Sequence, residues 1–318
     1  MFSFLVALAM YVTLTPGKPV VSVNDFRPFF PRVRSLPLAA AISHPIMPQA
    51  PKKKDETRLG IETTARAAAV LDWKTGAPLF EKNADEPMAI ASITKLMTGI
   101  VVLSQKPDWK KHIEFLHEDE PPGGVQYLFP GEEVTVEDLF NMSLVASSNG
   151  ATVALARSTG LTSDEFVEKM NEMATKLGMT MSHFTDPTGL DATDTASARD
   201  VALLIRTALT YPEIQAAVSR KVYAFRAVTG LDHAVRSTDE LLGSFLDVAP
   251  NRFLGGKTGF IQEAGYCFGS AAENANGDRV IAVVLGAESK DLRFKEAKSL
   301  IFWAFDAYQW PARLSRGS

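Results

Sequence analysis

The sequence predicts a mixed α/β (α+β) domain, with one antiparallel sheet of about five strands built from both chain ends and flanked by helices around a helical insertion. Three observations predict it. A strand–turn–strand pattern opens the folded part near residue 65. Helical periodicity fills about 135–210, within a helical subdomain expected over about 93–210. Strand patterns then return after residue 220, with a hairpin turn at Asn276-Gly277 and a closing helix. A cleft is expected between the sheet and the helical part.

The elements follow in order. Ala65–Leu71, the turn Asp72-Trp73-Lys74-Thr75-Gly76 and Ala77–Phe80 read as a hairpin. A helix is expected from about Ser92 to Gln105. Thr135 stands three before Asp138, and Thr162 three before Glu165, the spacing of capping boxes. Ser197 stands three before Asp200 and starts a helix to about Leu209, and Gly160 and Gly178 each end an amphipathic run. Lys221–Val228 alternates weakly, Phe253–Ile261 contains three glycines, and Tyr266–Ala272 and Arg279–Leu285 flank the Asn-Gly pair. Leu292–Tyr308 has helical period.

Composition bounds the function. The 318 residues are 46% hydrophobic and 22% charged, with a net charge of −4, too small and mixed to suggest a nucleic-acid partner. The single cysteine, Cys267, excludes an intrachain disulfide, and the five histidines have no metal-ligand spacing. Neither a metal nor a cofactor is expected, so hydrolytic chemistry would rest on Ser, Lys and carboxylates. Phe2–Leu14 is almost wholly apolar, and residues 1–15 read as a signal peptide or short membrane anchor, the expected membrane contact. Its flanking basic residues, Lys18 and Arg27, follow the run rather than precede it. Eight of the eighteen prolines fall within residues 16–51, so residues 16–58 read as an extended linker ahead of a folded domain over 59–312.

Three polar clusters could carry chemistry. Ser92 and Lys95, in "IASITKLMTG", are three apart at a helix start, where side chains share a face and the helix dipole favours a developing anion. They are either a nucleophile and its base, or a cap and a solvent charge; a base requires a lysine with depressed pKa. Ser147-Ser148-Asn149 lies between two helical runs, as a turn that aims Ser147 and Asn149 into a cleft or as a helix-junction cap. Lys257-Thr258-Gly259 reads as strand, with Lys257 and Gly259 on one face and Thr258 on the other. Gly259 would leave room for a ligand backbone, or the segment is a polar edge strand. Lys74-Thr75-Gly76 and Ser22-Val23-Asn24 repeat two of these patterns but fall in a hairpin turn and in the proline-rich segment.

The order of the clusters, with "ARAAAVLDWKTGAPLFEKNADEPMAIASITKLMTG", "FPGEEVTVEDLFNMSLVASSNGATVALA", "HFTDPTGLDATDTASARDVALLIR", "GGKTGFIQEAGYCF" and "RFKEAKSLIFWAF", resembles the low-molecular-mass penicillin-binding proteins, the serine D-alanyl-D-alanine carboxypeptidases and endopeptidases, from about Ala65 to Asp306. The resemblance implies a β-lactamase/transpeptidase-like fold and extracytoplasmic hydrolysis of the D-Ala-D-Ala bond of peptidoglycan stem peptides, with covalent inhibition by β-lactams. It implies Ser92 as nucleophile, Lys95 as base poised by the charge of Lys257, and Ser147 as proton relay. Asn149 would hold the substrate amide and help fix Lys95, and the backbone N–H groups of Ser92 and Phe260 would form the oxyanion hole. Thr258, Gly259 and Arg293 would bind substrate, Thr258 and Arg293 at its carboxylate. His183 matches a family position and is expected to order the helical part.

The chain ends about 60 residues after Lys257, which resembles the shorter members, several of which cleave cross-links. A monomer is expected. Two alternatives are a serine β-lactamase and a non-catalytic penicillin sensor. Between Asn149 and Lys257 there is no E-x-x-L-N pentapeptide of the kind one β-lactamase class uses to activate water, so a long-lived penicilloyl adduct on Ser92 is expected.

Overall fold

The structure, a computed structural model, describes residues 48–58 and 60–312. The apolar N-terminal segment and residues 16–47 of the linker expected over 16–58 lie outside the described residues. The last piece of that linker is instead part of the fold: Lys52–Lys53 pairs antiparallel with Tyr308–Gln309.

The expected sheet forms from both chain ends. Its strands are β1 (Ala67–Asp72), β2 (Pro78–Lys82), β3 (Arg252–Ile261), β4 (Gly265–Glu273) and β5 (Arg279–Ala287), in the order β3-β4-β5-β1-β2, all antiparallel. Period-two alternation divides each central strand between two cores. Ala67, Ala69 and Leu71 of β1, with Ile281, Val283 and Leu285 of β5, face the helical part. Ala68 and Val70, with Val280, Ala282 and Val284, face the opposite layer. Burial on both faces explains why these strands are apolar throughout, and each buried valine or leucine contributes about 1.5–3 kcal/mol.

One face is covered by the C-terminal helix, α7 (Lys290–Ala307), which Ser289 caps and which buries Phe294, Ala297, Leu300, Ile301 and Ala304. On the other lie α1 (Lys95–Ser104), α2 (Val136–Val145), α3 (Asn149–Ser158), α4 (Ser163–Leu177), α5 (Ala198–Ala208) and α6 (Pro212–Val218), with α5 packed on the sheet. Both predicted capping boxes form, at Thr135/Asp138 and Thr162/Glu165. Gly178 ends α4 at φ +77°, a left-handed value that suits glycine.

Three elements differ from expectation. Ser92 lies in a single 3-10 turn, Ala91–Thr94, and the α-helix starts only at Lys95. The middle is not helical throughout, because residues 179–197 form a loop in which Asp186 and Asp194 accept backbone N–H groups. The weakly alternating segment after 220 is a separate hairpin, Val222–Arg226 with Asp232–Arg236, outside the main sheet. His183 exchanges both backbone hydrogen bonds with Thr195 and closes the 179–197 loop, a structural part as expected.

Candidate active site

The three clusters meet between β3 and the helical part. Ser92 is held on the 3-10 turn by Ala91, a non-glycine residue at φ +49°. Left-handed backbone at such a residue is uncommon and gathers at functional sites. Lys95 follows one turn later and is wholly buried. Its Nζ donates to Ser92 Oγ at 2.9 Å, Asn149 Oδ1 at 2.8 Å and the Thr188 carbonyl at 2.7 Å.

That coordination decides what the amine can do. The Asn149 amide oxygen and the Thr188 carbonyl accept only, so they hold two amine hydrogens in either protonation state. When Lys95 is neutral, the remaining position is a lone pair aimed at the Ser92 hydroxyl. Burial pushes the Lys95 pKa down to about 7, against the pull of the Asp186 and Asp194 charges, which favour the ammonium. Above pH 7 a proton acceptor therefore stands 2.9 Å from the serine oxygen.

The second cluster resolves into two functions. Ser148 is the cap of α3, its hydroxyl accepting from Ala151 N. This leaves Ser147, at φ +58°, to turn the other way, where its Oγ accepts from Lys257 Nζ at 2.7 Å. Lys257 also donates to the Thr258 carbonyl and is 1% exposed. Burial lowers its pKa well below the ordinary lysine value, and the charges of Lys95 and Arg293 lower it further, opposed by Asp239. The expected like-charge effect thus acts on Lys257, whereas burial is the main cause at Lys95.

Gly259 corrects the sequence reading. A Cβ there would stand 2.5 Å from the Ile90 carbonyl oxygen, 3.2 Å from the Ala91 Cβ and 3.3 Å from Ser92 N. The space a side chain would fill is taken by the turn that carries Ser92, and no room remains on that side for a ligand backbone. Phe260, next on β3, lines the same cavity as Ser92.

A cavity of about 390 Å³ opens from Ser92, lined among others by Ser147, Thr258, Gly259, Phe260 and Arg293. Thr258 Oγ1 lies 2.6 Å from Thr238 Oγ1. Arg293 is 5% exposed; it donates to the Gly259 carbonyl, and its Nε has no hydrogen-bond partner among the described residues. A buried guanidinium with donors to spare is suited to an anion. Sequence reasoning missed Thr188, Asp186 and Asp194 beneath Lys95, and Ser237, Thr238, Glu240 and Lys290 on the cavity wall. Lys74-Thr75-Gly76 is the structural turn expected, its Thr75 hydroxyl and N–H both bonded to Asp72.

Comparison with known proteins matches residues 51–289 to the family described as D-alanyl-D-alanine carboxypeptidase, peptidase S11. The chain is 32% identical to the D-alanyl-D-alanine carboxypeptidase DacF of Bacillus subtilis, over 82% of this chain and 68% of that protein. It is 32% identical to a D-alanyl-D-alanine endopeptidase of Pseudomonas aeruginosa, over 85% of this chain and 84% of that protein. Among solved structures it resembles penicillin-binding protein D2 of Listeria monocytogenes in its cefotaxime-bound form, with 33% identity, a TM-score of 0.68, and coverage of 78% of this chain and 100% of that one.

Proposed function

Because the chain belongs to the D-alanyl-D-alanine carboxypeptidase family, peptidase S11, we propose that it is a serine DD-peptidase that hydrolyses the D-Ala-D-Ala bond of peptidoglycan stem peptides through an acyl-enzyme. The observation that carries the reading is the Lys95 amine, buried, depressed to about 7 and 2.9 Å from Ser92 Oγ.

Neutral Lys95 takes the Ser92 proton as Oγ attacks the carbonyl of the penultimate D-alanine. The oxyanion meets the N–H groups of Ser92 and Phe260, each worth about 3–4 kcal/mol in the transition state. Ser147 accepts from Lys257, so its own O–H points elsewhere and relays to the leaving nitrogen the proton that Lys95 took, which returns Lys95 to its neutral form. Asn149, besides fixing Lys95, presents its amide N–H₂ to the substrate backbone. Thr258 and Arg293 hold the terminal carboxylate, and water then cleaves the ester and restores Ser92. Gly259 serves the site by admitting the Ser92 turn.

Action on peptidoglycan places the catalytic unit outside the cytoplasmic membrane. We assign export or anchoring to the apolar N-terminal segment; among the described residues no helix is long and apolar enough to cross a membrane.

The test is incubation with a peptide ending in D-Ala-D-Ala, followed by assay of free D-alanine and by intact-mass measurement after penicillin treatment. Release of D-alanine, and an adduct on Ser92 lasting hours, are expected. Loss of the adduct within seconds would make the protein a β-lactamase, and acylation without turnover of any muropeptide would make it a binding protein.

A further inference from the structure

Behind the cavity wall stands a carboxyl group that the mechanism does not use. Thr238 and Glu240 line the cavity, whereas Asp239, between them, turns inward and is 6% exposed. Its Oδ1 accepts from Leu241 N at 2.8 Å, and its own N–H donates to Ser237 Oγ at 3.1 Å, so the turn holds it from both sides. Its Oδ2 is buried and has no hydrogen-bond partner among the described residues. Two buried cations act on it, Lys257 of β3 and Arg293 of α7, and the charge of Asp247 opposes them. Glu240, next in the chain, is half exposed and paired with Lys290. The Asp239 turn also meets the strand that faces substrate, Thr238 Oγ1 lying 2.6 Å from Thr258 Oγ1. A carboxyl so placed has two stable forms. Ionised, it balances the two cations; protonated, it avoids a buried charge with an unpaired oxygen. Burial is the stronger influence and pushes its pKa up to about 7.

We infer that Asp239 is a positioning residue, the resident counter-ion of the carboxylate pocket, which balances Lys257 and Arg293 while the pocket is empty and takes up a proton when an anionic substrate enters. The inference rests on the DD-peptidase reading and adds a control on substrate affinity. An anion held by Thr258 and Arg293 supplies the charge that ionised Asp239 supplies in its absence, and two anions beside the same cations repel. The proton comes from solvent and adds to the Asp239 carboxylate. It returns to solvent when D-alanine carries its own carboxylate away, and no bond of the peptide is altered by the exchange. The sign follows. Below its midpoint Asp239 is already neutral, and the pocket presents two uncompensated cations. Above it Asp239 is ionised, and the entering anion must first displace that charge, so affinity for a carboxylate falls as pH rises. The coupling is reciprocal: a bound carboxylate that raises Asp239 by about one pKa unit is itself bound about tenfold more weakly when Asp239 is ionised.

The test is the second-order rate of Ser92 acylation by benzylpenicillin and by its methyl ester, from about pH 6 to pH 9, in wild type and in Asp239→Asn. Asparagine keeps an acceptor for the Leu241 N–H and cannot ionise. Dividing the free-acid rate by the ester rate removes the rise due to Lys95, which both reagents share. In wild type this quotient should fall about tenfold across the range, and in Asp239→Asn it should hold within about twofold. A purely structural role for Asp239 would change both rates together and leave the quotient alone. An equal fall in both proteins assigns the effect to another group and overturns the inference. A flat quotient in wild type overturns it without any variant, and Asp239→Ser replaces Asp239→Asn if the latter does not fold. Each of these outcomes leaves the peptidase reading standing. A wild-type protein that benzylpenicillin does not acylate at any pH overturns both.

Discussion

Lys95→Ala is expected to abolish acylation of Ser92, with the second-order rate for penicillin falling at least about a thousandfold, the upper part of the range for a general base. Alanine leaves the Ser92 proton without an acceptor, because Lys257, the other buried amine, is directed to Ser147 and the Thr258 carbonyl. The fold should survive. The Thr188 carbonyl and Asn149 Oδ1 each lose a donor, at about 1–3 kcal/mol apiece, but the cost of burying an amine is removed with it. The decisive pair of measurements is fluorescent-penicillin labelling and thermal unfolding of the same sample. Wild-type labelling would refute the base assignment, and a folded, unlabelled protein would support it.

Gly259→Ala is expected to be nearly as damaging, for a steric reason. The new methyl would stand 2.5 Å from the Ile90 carbonyl oxygen and 3.3 Å from Ser92 N, both backbone atoms that cannot rotate away. Either β3 or the Ala91–Thr94 turn must shift, and displacements near 1 Å at a reacting centre cost about a hundredfold in rate. Overpacking of this kind typically costs about 1–3 kcal/mol of stability, so the protein should remain folded with a lowered Tm. Acylation at the wild-type rate would mean that the registry between β3 and the Ser92 turn does not matter.

Much of this arrangement was legible in the sequence. Short apolar runs broken by the Gly76 turn and by the Asn276-Gly277 pair marked strands from the two chain ends, and the spacing of Thr135/Asp138 and Thr162/Glu165 marked helix starts, because these are local patterns. Ser92, Lys95, Ser147, Asn149 and Lys257 were found as three clusters that no single spacing could join; their resemblance to a family joined them. What escaped has a common cause. Thr188 acts through its carbonyl, which carries no residue-type signal. Asp186 and Asp194 act through a loop whose conformation they themselves fix. Thr238 meets Thr258 from twenty positions away along the chain. Gly259 was recognised as a close approach, but strand periodicity does not say what approaches, and the Ser92 turn rather than a ligand fills the space. Desolvation and a second cation were both open as the cause of a depressed lysine pKa; that burial leads at Lys95 depends on packing of the whole helical part.

The account stands on a buried amine whose pKa lies near 7, so that its neutral form is present at physiological pH. Lysine labelled with carbon-13 at Cε, with the Lys95 signal assigned by its loss in Lys95→Ala, reports that protonation directly by NMR titration. A folded-state midpoint near 7 is predicted: protonated and unable to act as base below it, neutral and competent above it. The unfolded protein should show the ordinary value near 10.5, so this group makes stability rise with pH between the two midpoints. A Lys95 signal that stays in its charged form up to pH 9 would contradict the mechanism at its first step.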